Sequence, residues 1–207
     1  MPENLHKLFV ISSPSGGGKT SLINKLFEDS RSMNFEKSIS DTSRQKRQGD
    51  LEGKDYYFLS EKDFKDKIKK EKYVEYATVF GNFYGTSKEE IKTKYNNSNL
   101  ILELDWQGAY AVKELFDDAK LIFLVPPSLD DLKQRLIKRN LDSSEAIENR
   151  LSEAKKEISK SEMYDYLVLN DDFDKAFEDL SQILFEGISP IDFNSRASKD
   201  LIKRLVE

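Results

Sequence analysis

The chain has 207 residues, 38% of them hydrophobic with 13 Phe and 9 Tyr, enough for one domain with a real core. Its 38 acidic side chains outnumber 33 basic ones, for a net charge of −5 with no long basic block. That excludes a general nucleic-acid binder, whose affinity for the phosphate backbone needs a basic face. With no cysteine and one histidine, His6, disulfides and thiolate metal sites are excluded, and a His-based metal centre or Ser-His-Asp triad is untenable.

The N-terminus, MPENLHKLFVISS, lacks the long apolar segment of a signal peptide, and no stretch approaches a membrane span, so a cytoplasmic protein is expected. Residues 8–11 (LFVI) read as a strand buried on both faces, as in a parallel sheet. The run SSPSGGGKTSL follows at 12–22, and residues 19–29 place Leu22, Ile23, Leu26 and Phe27 on one helical face. Strand, glycine loop, helix is the order of a phosphate-binding loop. Ser13 stands where the strict G-x-x-x-x-G-K-S/T pattern has its first glycine, but Gly16, Gly17 and Gly18 let the backbone turn its N–H groups toward phosphate. Lys19 can reach the β- and γ-phosphates, and the Thr20 hydroxyl can ligate Mg²⁺. A nucleoside triphosphate site follows.

Residues 38–86 break the rhythm with short aromatic runs, YYF at 56–58, VEYATVF at 74–80 and FYG at 83–85, around a charged helix at 60–72. They read as a small mixed-sheet subdomain inserted into the core. Further strands are expected at 100–104 (LILEL), 121–125 (LIFLV) and 166–169 (YLVL), separated by helices at 107–116 and 129–138 and followed by one at 173–185. Alternating strands and helices indicate an α/β fold with a parallel sheet. Residues 128–160 form a second, helical and highly charged insertion. The stripe Leu201, Ile202, Leu205 near the C-terminus does not by itself decide between docking and fraying.

Of 25 lysines and 8 arginines, five arginines fall into two clusters: Arg44 with Arg47, and Arg135, Arg139, Arg150. Arginine offers a bidentate fork that lysine lacks, so in a lysine-rich chain these read as two phosphate clamps, one per insertion. Glu103 and Asp105 end an apolar strand, where α/β folds place ligand and metal carboxylates, and their spacing of two predicts a shared strand face. No histidine or isolated carboxylate presents itself as a general base. A phosphate oxygen as acceptor needs none, which points to a nucleoside monophosphate kinase.

The motifs SSPSGGGKTSL (12–22), SISDTSRQKR (38–47), GKDYYF (53–58), VEYATVFGNFYGT (74–86), LELDWQG (102–108), PPSLDDLKQRL (126–136) and NRL (149–151) occur in the order of guanylate kinase, which the chain resembles from Leu8 to about Glu186. The resemblance implies a P-loop parallel-sheet core (about 1–37, 87–127 and 161–207), an inserted mixed-β GMP-binding subdomain (about 38–86) and a helical lid (about 128–160), in one domain. It implies transfer of the γ-phosphoryl of ATP to GMP or dGMP with Mg²⁺ on Thr20, in a monomer or homodimer with no nucleic-acid or membrane partner. ATP would be held by Ser15, Gly16, Gly17, Gly18, Lys19, Thr20, Ser21, Arg135, Arg139, Asn170 and Asp171. The GMP phosphate would be held by Ser40, Arg44, Arg47, Tyr56 and Tyr84, and guanine read by Glu75, Thr86 and Asp105. Arg150 would reach the transferring phosphates from the lid, with Lys19, Arg44 and Arg139 completing the catalytic set. Two positions depart from the family pattern: Thr86 stands where serine is frequent, and Lys46 where proline is common. A domain that keeps this fold but binds protein partners, and a P-loop kinase with another acceptor, are the rival readings. The intact Gly18-Lys19-Thr20 and both arginine clusters weigh against the first, Glu75 and Asp105 against the second.

Overall fold

The computed structural model describes residues 6–79, 81–138, 144–191 and 195–207. In chain order its strands are β1 (Leu8–Ser12), β2 (Phe35–Lys37), β3 (Asp41–Thr42), β4 (Tyr57–Phe58), β5 (Tyr73–Val79), β6 (Asn82–Ser87), β7 (Asn99–Glu103), β8 (Lys120–Val125) and β9 (Tyr166–Leu169). The helices are α1 (Lys19–Glu28), α2 (Glu61–Lys69), α3 (Lys88–Tyr95), α4 (Trp106–Leu115), α5 (Leu129–Lys138), α6 (Ser144–Ser159), α7 (Phe173–Ser181) and α8 (Arg196–Val206).

Continuous apolar runs need cover on both faces, and the first sheet has it. Its order is β2-β7-β1-β8-β9, every pair parallel. Val10 of the central strand sits between Leu102 and Leu121. On one face Leu8, Val10, Leu100, Leu102, Leu121, Phe123 and Leu167 pack with residues of α3, α4, α6 and α8. On the other, Phe9, Ile11, Ile101, Ile122, Leu124 and Val168 pack with α1 and α7. The strands' C-terminal ends therefore open on one edge, where the glycine loop leaves β1.

The aromatic insertion folds as a separate sheet of order β4-β3-β6-β5, with one parallel pair and two antiparallel ones. Phe64 of α2 is fully buried beneath it, stacked on Tyr73 at 4.5 Å and Phe83 at 5.4 Å between centroids. The buried Asp41 carboxylate accepts from Tyr73 Oη and from Lys67 Nζ, each at 2.7 Å, so its charge is paired.

Several boundaries differ from the sequence expectation. β2 joins the edge of the core sheet, and α3 follows Ser87, whose side chain accepts from Glu90 N. The expected 173–185 helix is α7 followed by a widened π turn at Gln182–Glu186, stopped by Gly187 at φ +72°. The C-terminal stripe docks: Ser195 caps α8, Leu205 is 2% exposed in the core, and Lys155 Nζ of α6 reaches the Glu207 carbonyl at 2.9 Å. Among the described residues no helix is long and apolar enough to cross a membrane.

Candidate active site

Gly16 and Gly18 sit at φ +89° and +92°, the left-handed region where a side chain is strained. Gly18 is the N-cap of α1 and offers no side-chain cap, so the first N–H groups of that helix face outward as an anion cradle. Gly17 N bonds Pro14 O at 2.8 Å and closes the turn. Asn170, buried at the end of β9, donates from Nδ2 to Gly17 O at 2.6 Å, and Arg135 of α5 donates to Asn170 O at 2.7 Å. A Cβ on Gly18 would lie 2.3 Å from Asn170 Nδ2, so only glycine admits this latch. Beside it is a cavity of about 320 Å³ lined by Gly16, Gly18, Ser21, Arg135, Lys138, Asn170, Asp171 and Phe173. Ser15 lies exposed in the same loop.

Lys19 points inward, its Nζ donating to Leu104 O at 3.1 Å. Burial pushes its ammonium down from 10.5, and the carboxylates of Glu103, Glu157 and Asp105 resist that fall. Glu103 accepts from Thr20 Oγ1 at 2.5 Å and from Lys37 Nζ at 2.7 Å. Burial alone would raise the Glu103 carboxyl, but Lys19 and Lys37 outweigh it and hold it below 4.5.

The expectation that Glu103 and Asp105 share a strand face is corrected. β7 ends at Glu103, and Asp105 is the N-cap of α4, accepting from Gly108 N at 2.9 Å. The chain leaves the sheet at Leu104, so the two carboxylates reach Lys19 from a strand end and from a helix N-cap. Glu103 turns to the phosphate loop. Asp105 lies close enough to Glu75 to disfavour its charge.

On the second sheet Glu75 of β5 pairs with Thr86 of β6, and Ser40 Oγ lies 3.2 Å from Thr86 Oγ1. Burial raises the Glu75 carboxyl and Asp105 adds to it, against hydrogen bonds from Thr86. A Cβ on Gly108 would come within 3.0 Å of Glu75 Cγ, so α4 packs directly on this carboxylate arm. Arg44 is 11% exposed, with its guanidinium 5.6 Å from the ring centres of both Tyr56 and Phe58. Tyr56 meets Tyr84 edge-on at 5.7 Å, and Arg47 is exposed, its amide bonded to Asp50. The structure thus gathers Ser40, Glu75 and Thr86 in one group and Arg44, Tyr56 and Tyr84 in another on the same sheet. Arg150 lies partly buried on α6, and Arg139 falls outside the described residues.

Three charged residues here were not singled out from sequence. Lys37, next to the SIS motif, clamps Glu103; Asp50 binds Arg44; Glu157 faces Lys19 and Asp105 from α6. Each sits among dozens of similar surface charges in the sequence, with no periodic signal to mark it.

The family model described as guanylate kinase matches residues 5–187. The chain belongs to the guanylate kinase family. It is 46% identical over 184 residues to a guanylate kinase of Wolbachia sp. subsp. Brugia malayi, covering 88% of this chain and 93% of that protein. It is 47% identical over 178 residues to one from Hahella chejuensis, covering 86% of this chain and 85% of that protein. The crystal structure of guanylate kinase from Anaplasma phagocytophilum matches with a TM-score of 0.69 at 31% identity, over 99% of this chain and 98% of that one. The fold expected from sequence, a parallel α/β core with a separate mixed sheet, is the fold of this family. The chain is thereby a nucleoside monophosphate kinase, and phosphoryl transfer from ATP to GMP is the activity of guanylate kinases.

Glu157 gives the site a pH signature. Burial, with Asp105 and Glu153 nearby, pushes its carboxyl up from 4.5 to about 7 despite the opposing pull of Lys19. Between those values the carboxyl is protonated in the folded protein and ionised in the unfolded chain, so stability falls as pH rises through the window. After discounting for its partial exposure, Glu157→Gln should gain about 1–2 kcal/mol relative to wild type between pH 5 and pH 8. Thermal unfolding of both proteins at both pH values measures this. An equal difference at the two pH values would refute it.

Proposed function

We propose that this guanylate kinase family member transfers the γ-phosphoryl of ATP to GMP, and to dGMP, by direct in-line displacement. The carrying observation is that two kinds of subsite meet through Asp105, whose charge acts on both Lys19 and Glu75. On one side is a glycine loop at a helix N-terminus with Lys19 behind it, and on the other a mixed sheet carrying a half-buried carboxylate, hydroxyls and an arginine over aromatic rings.

In this reading the amides of residues 15–21 bind the ATP phosphates, and Lys19 leaves Leu104 O to neutralise charge on the transferring oxygens. Arg135, Asn170 and Asp171 border the cavity for the nucleoside of ATP. Arg139 and Arg150 would bring further positive charge from the insertion at about 128–160 as it closes and excludes water. The GMP phosphate would meet Ser40, Arg44, Arg47, Tyr56 and Tyr84. Guanine's N1–H and N2–H₂ donors would meet Glu75, with Thr86 and Asp105 beside it. The acceptor oxygen is already ionised, so positioning and charge neutralisation suffice without a general base.

The hydroxyl of Thr20 and the carboxylate of Glu103 are adjacent hard oxygen donors of the kind Mg²⁺ takes, and they would hold an Mg²⁺ that arrives with ATP. Among the described residues no group of three His, Cys, Asp or Glu could hold a metal, so the triphosphate itself would supply most ligands. Bound there, Mg²⁺ would supply positive charge to the phosphoryl group in transfer.

A coupled ADP-release assay with ATP and Mg²⁺, offering GMP, dGMP, AMP, UMP and CMP in parallel, tests the reading. Turnover is expected with GMP and dGMP alone. Preference for another base would remove the role of Glu75, and no turnover alongside GMP binding would leave only a binding domain.

A further inference from the structure

The segment between Arg44 and Asp50 (RQKRQGD) has no proline and one glycine, so its sequence gives it no covalent stiffness. In the proposed function its two arginines, Arg44 and Arg47, would nevertheless face one small anion. One carboxylate oxygen ties its two arginine positions together. Asp50 Oδ2 accepts from Arg44 Nη2 at 2.8 Å and from the Arg47 backbone N–H at 2.7 Å. Asp50 N returns a bond to Arg47 O at 3.1 Å, closing a four-residue turn with Gly49 at φ +97° in its third position, where a type II turn demands it. The other side of the Arg44 guanidinium is fixed by Nη1 donating to Gln45 O at 3.0 Å and by the rings of Tyr56 and Phe58. A five-donor fork thus has two donors committed to the protein, its plane set, and donors remaining for a ligand.

We infer that Asp50 is a positioning residue for the phosphate of the acceptor nucleotide, holding the Arg44 fork and the Arg47 backbone in one arrangement before the substrate arrives. It touches neither the reacting atoms nor the base. The inference rests on the proposed role of Arg44 and Arg47 at the acceptor phosphate. Pre-organisation of this kind reduces the ordering cost of binding, so it acts on acceptor affinity. Against it stands the repulsion between a carboxylate and an incoming phosphate. The hydrogen bonds that Asp50 accepts from the Arg47 amide and Arg44 keep it ionised below its ordinary range. The Arg44 guanidinium, 2.8 Å from that carboxylate, already neutralises most of its charge.

The test is a double-mutant cycle on the full chain, with Asp50→Ala, Asp50→Asn, Arg44→Ala and Asp50→Ala with Arg44→Ala, reading KM for GMP, KM for ATP, kcat and Tm. Arg44→Ala should raise KM for GMP by 100-fold or so, as for loss of a charge-assisted fork. If it does not, the phosphate site is wrongly placed and the inference falls with it. With that effect in hand, Asp50→Ala should raise KM for GMP about tenfold, leave KM for ATP within twofold, and add little in the Arg44→Ala background. Asp50→Asn keeps an acceptor for the Arg47 amide and should fall between wild type and Asp50→Ala. It also serves if Asp50→Ala does not fold. An unchanged KM for GMP, equal losses for both substrates, or full additivity with Arg44→Ala would each overturn the role. A lower KM for GMP would do so too, making Asp50 a rival anion in the phosphate's place.

Discussion

Lys19→Met should lower kcat for ATP-to-GMP transfer by about 10³-fold or more while the protein stays folded. The methionine keeps an unbranched apolar stem of nearly the same length and loses the ammonium, with its charge and its bond to Leu104 O. In the structure that charge is costly: burial pushes the ammonium down, and one carbonyl, Leu104 O, with the surrounding carboxylates offsets the penalty. Removing it relieves desolvation and forfeits attraction to Glu103. Glu103 keeps Lys37 and Thr20, so no buried charge is orphaned. Tm should therefore move by only a few degrees, the shift of a change near 1 kcal/mol. The loss belongs to kcat because the phosphoryl oxygens gain charge demand in the transition state, beyond what the helix N-terminus already supplies to bound ATP. Steady-state kinetics with circular dichroism melts on the same preparations check this. A kcat within tenfold of wild type would remove Lys19 from the chemistry.

The core of this fold was readable because its signals are local. Residues 8–11, 100–104, 121–125 and 166–169 are apolar runs long enough to demand burial on both faces, and each became a strand of the parallel sheet. Gly16, Gly17 and Gly18 announced a loop no packed element would choose. Other parts fell below the threshold of pattern. β2 is three residues with one buried side chain, and only pairing with β7 makes it a strand. α3 buries just Ile91 and Tyr95 among charges, although Ser87 and Glu90 were a readable capping pair. α8 depended on Leu205 finding a slot between α6 and the sheet, which no spacing within the tail reveals. Asp105 misled for a related reason: a period of two holds only while the chain remains a strand, and β7 had already ended. Candidate site residues identified only by a side-chain partner, such as Asp50 on Arg44 or Lys37 on Glu103, depend on contacts that sequence spacing does not reveal.

Glu75→Ala should reduce kcat/KM for GMP by about 10³-fold and cut the preference for GMP over AMP by a similar factor, with KM for ATP unchanged. Guanine offers two adjacent donors, N1–H and N2–H₂, to the proposed reader, while adenine presents an unprotonated N1 on that edge. In the wild-type site adenine would leave a half-buried carboxylate facing an acceptor. That unpaired group, more than any lost attraction, is what rejects the wrong base. Glu75 suits the task because burial and Asp105 already disfavour its charge, so the donors of guanine supply what the empty site lacks. The substitution should not unfold the sheet. Thr86 keeps Ser40 Oγ within 3.2 Å, and the space vacated beside Gly108 opens toward the pocket formed with Asp105, Gln107 and Ala111. Inosine monophosphate adds a finer reading, since it retains N1–H and lacks the 2-amino group. Wild type should favour GMP over it by the worth of one charge-assisted hydrogen bond, about tenfold to 100-fold, and the variant should narrow that gap to a few-fold. Coupled assays with GMP, IMP and AMP on both proteins decide the matter. Unchanged ratios among the three acceptors would assign the base reading to other residues and leave Glu75 as a strand position held by Thr86.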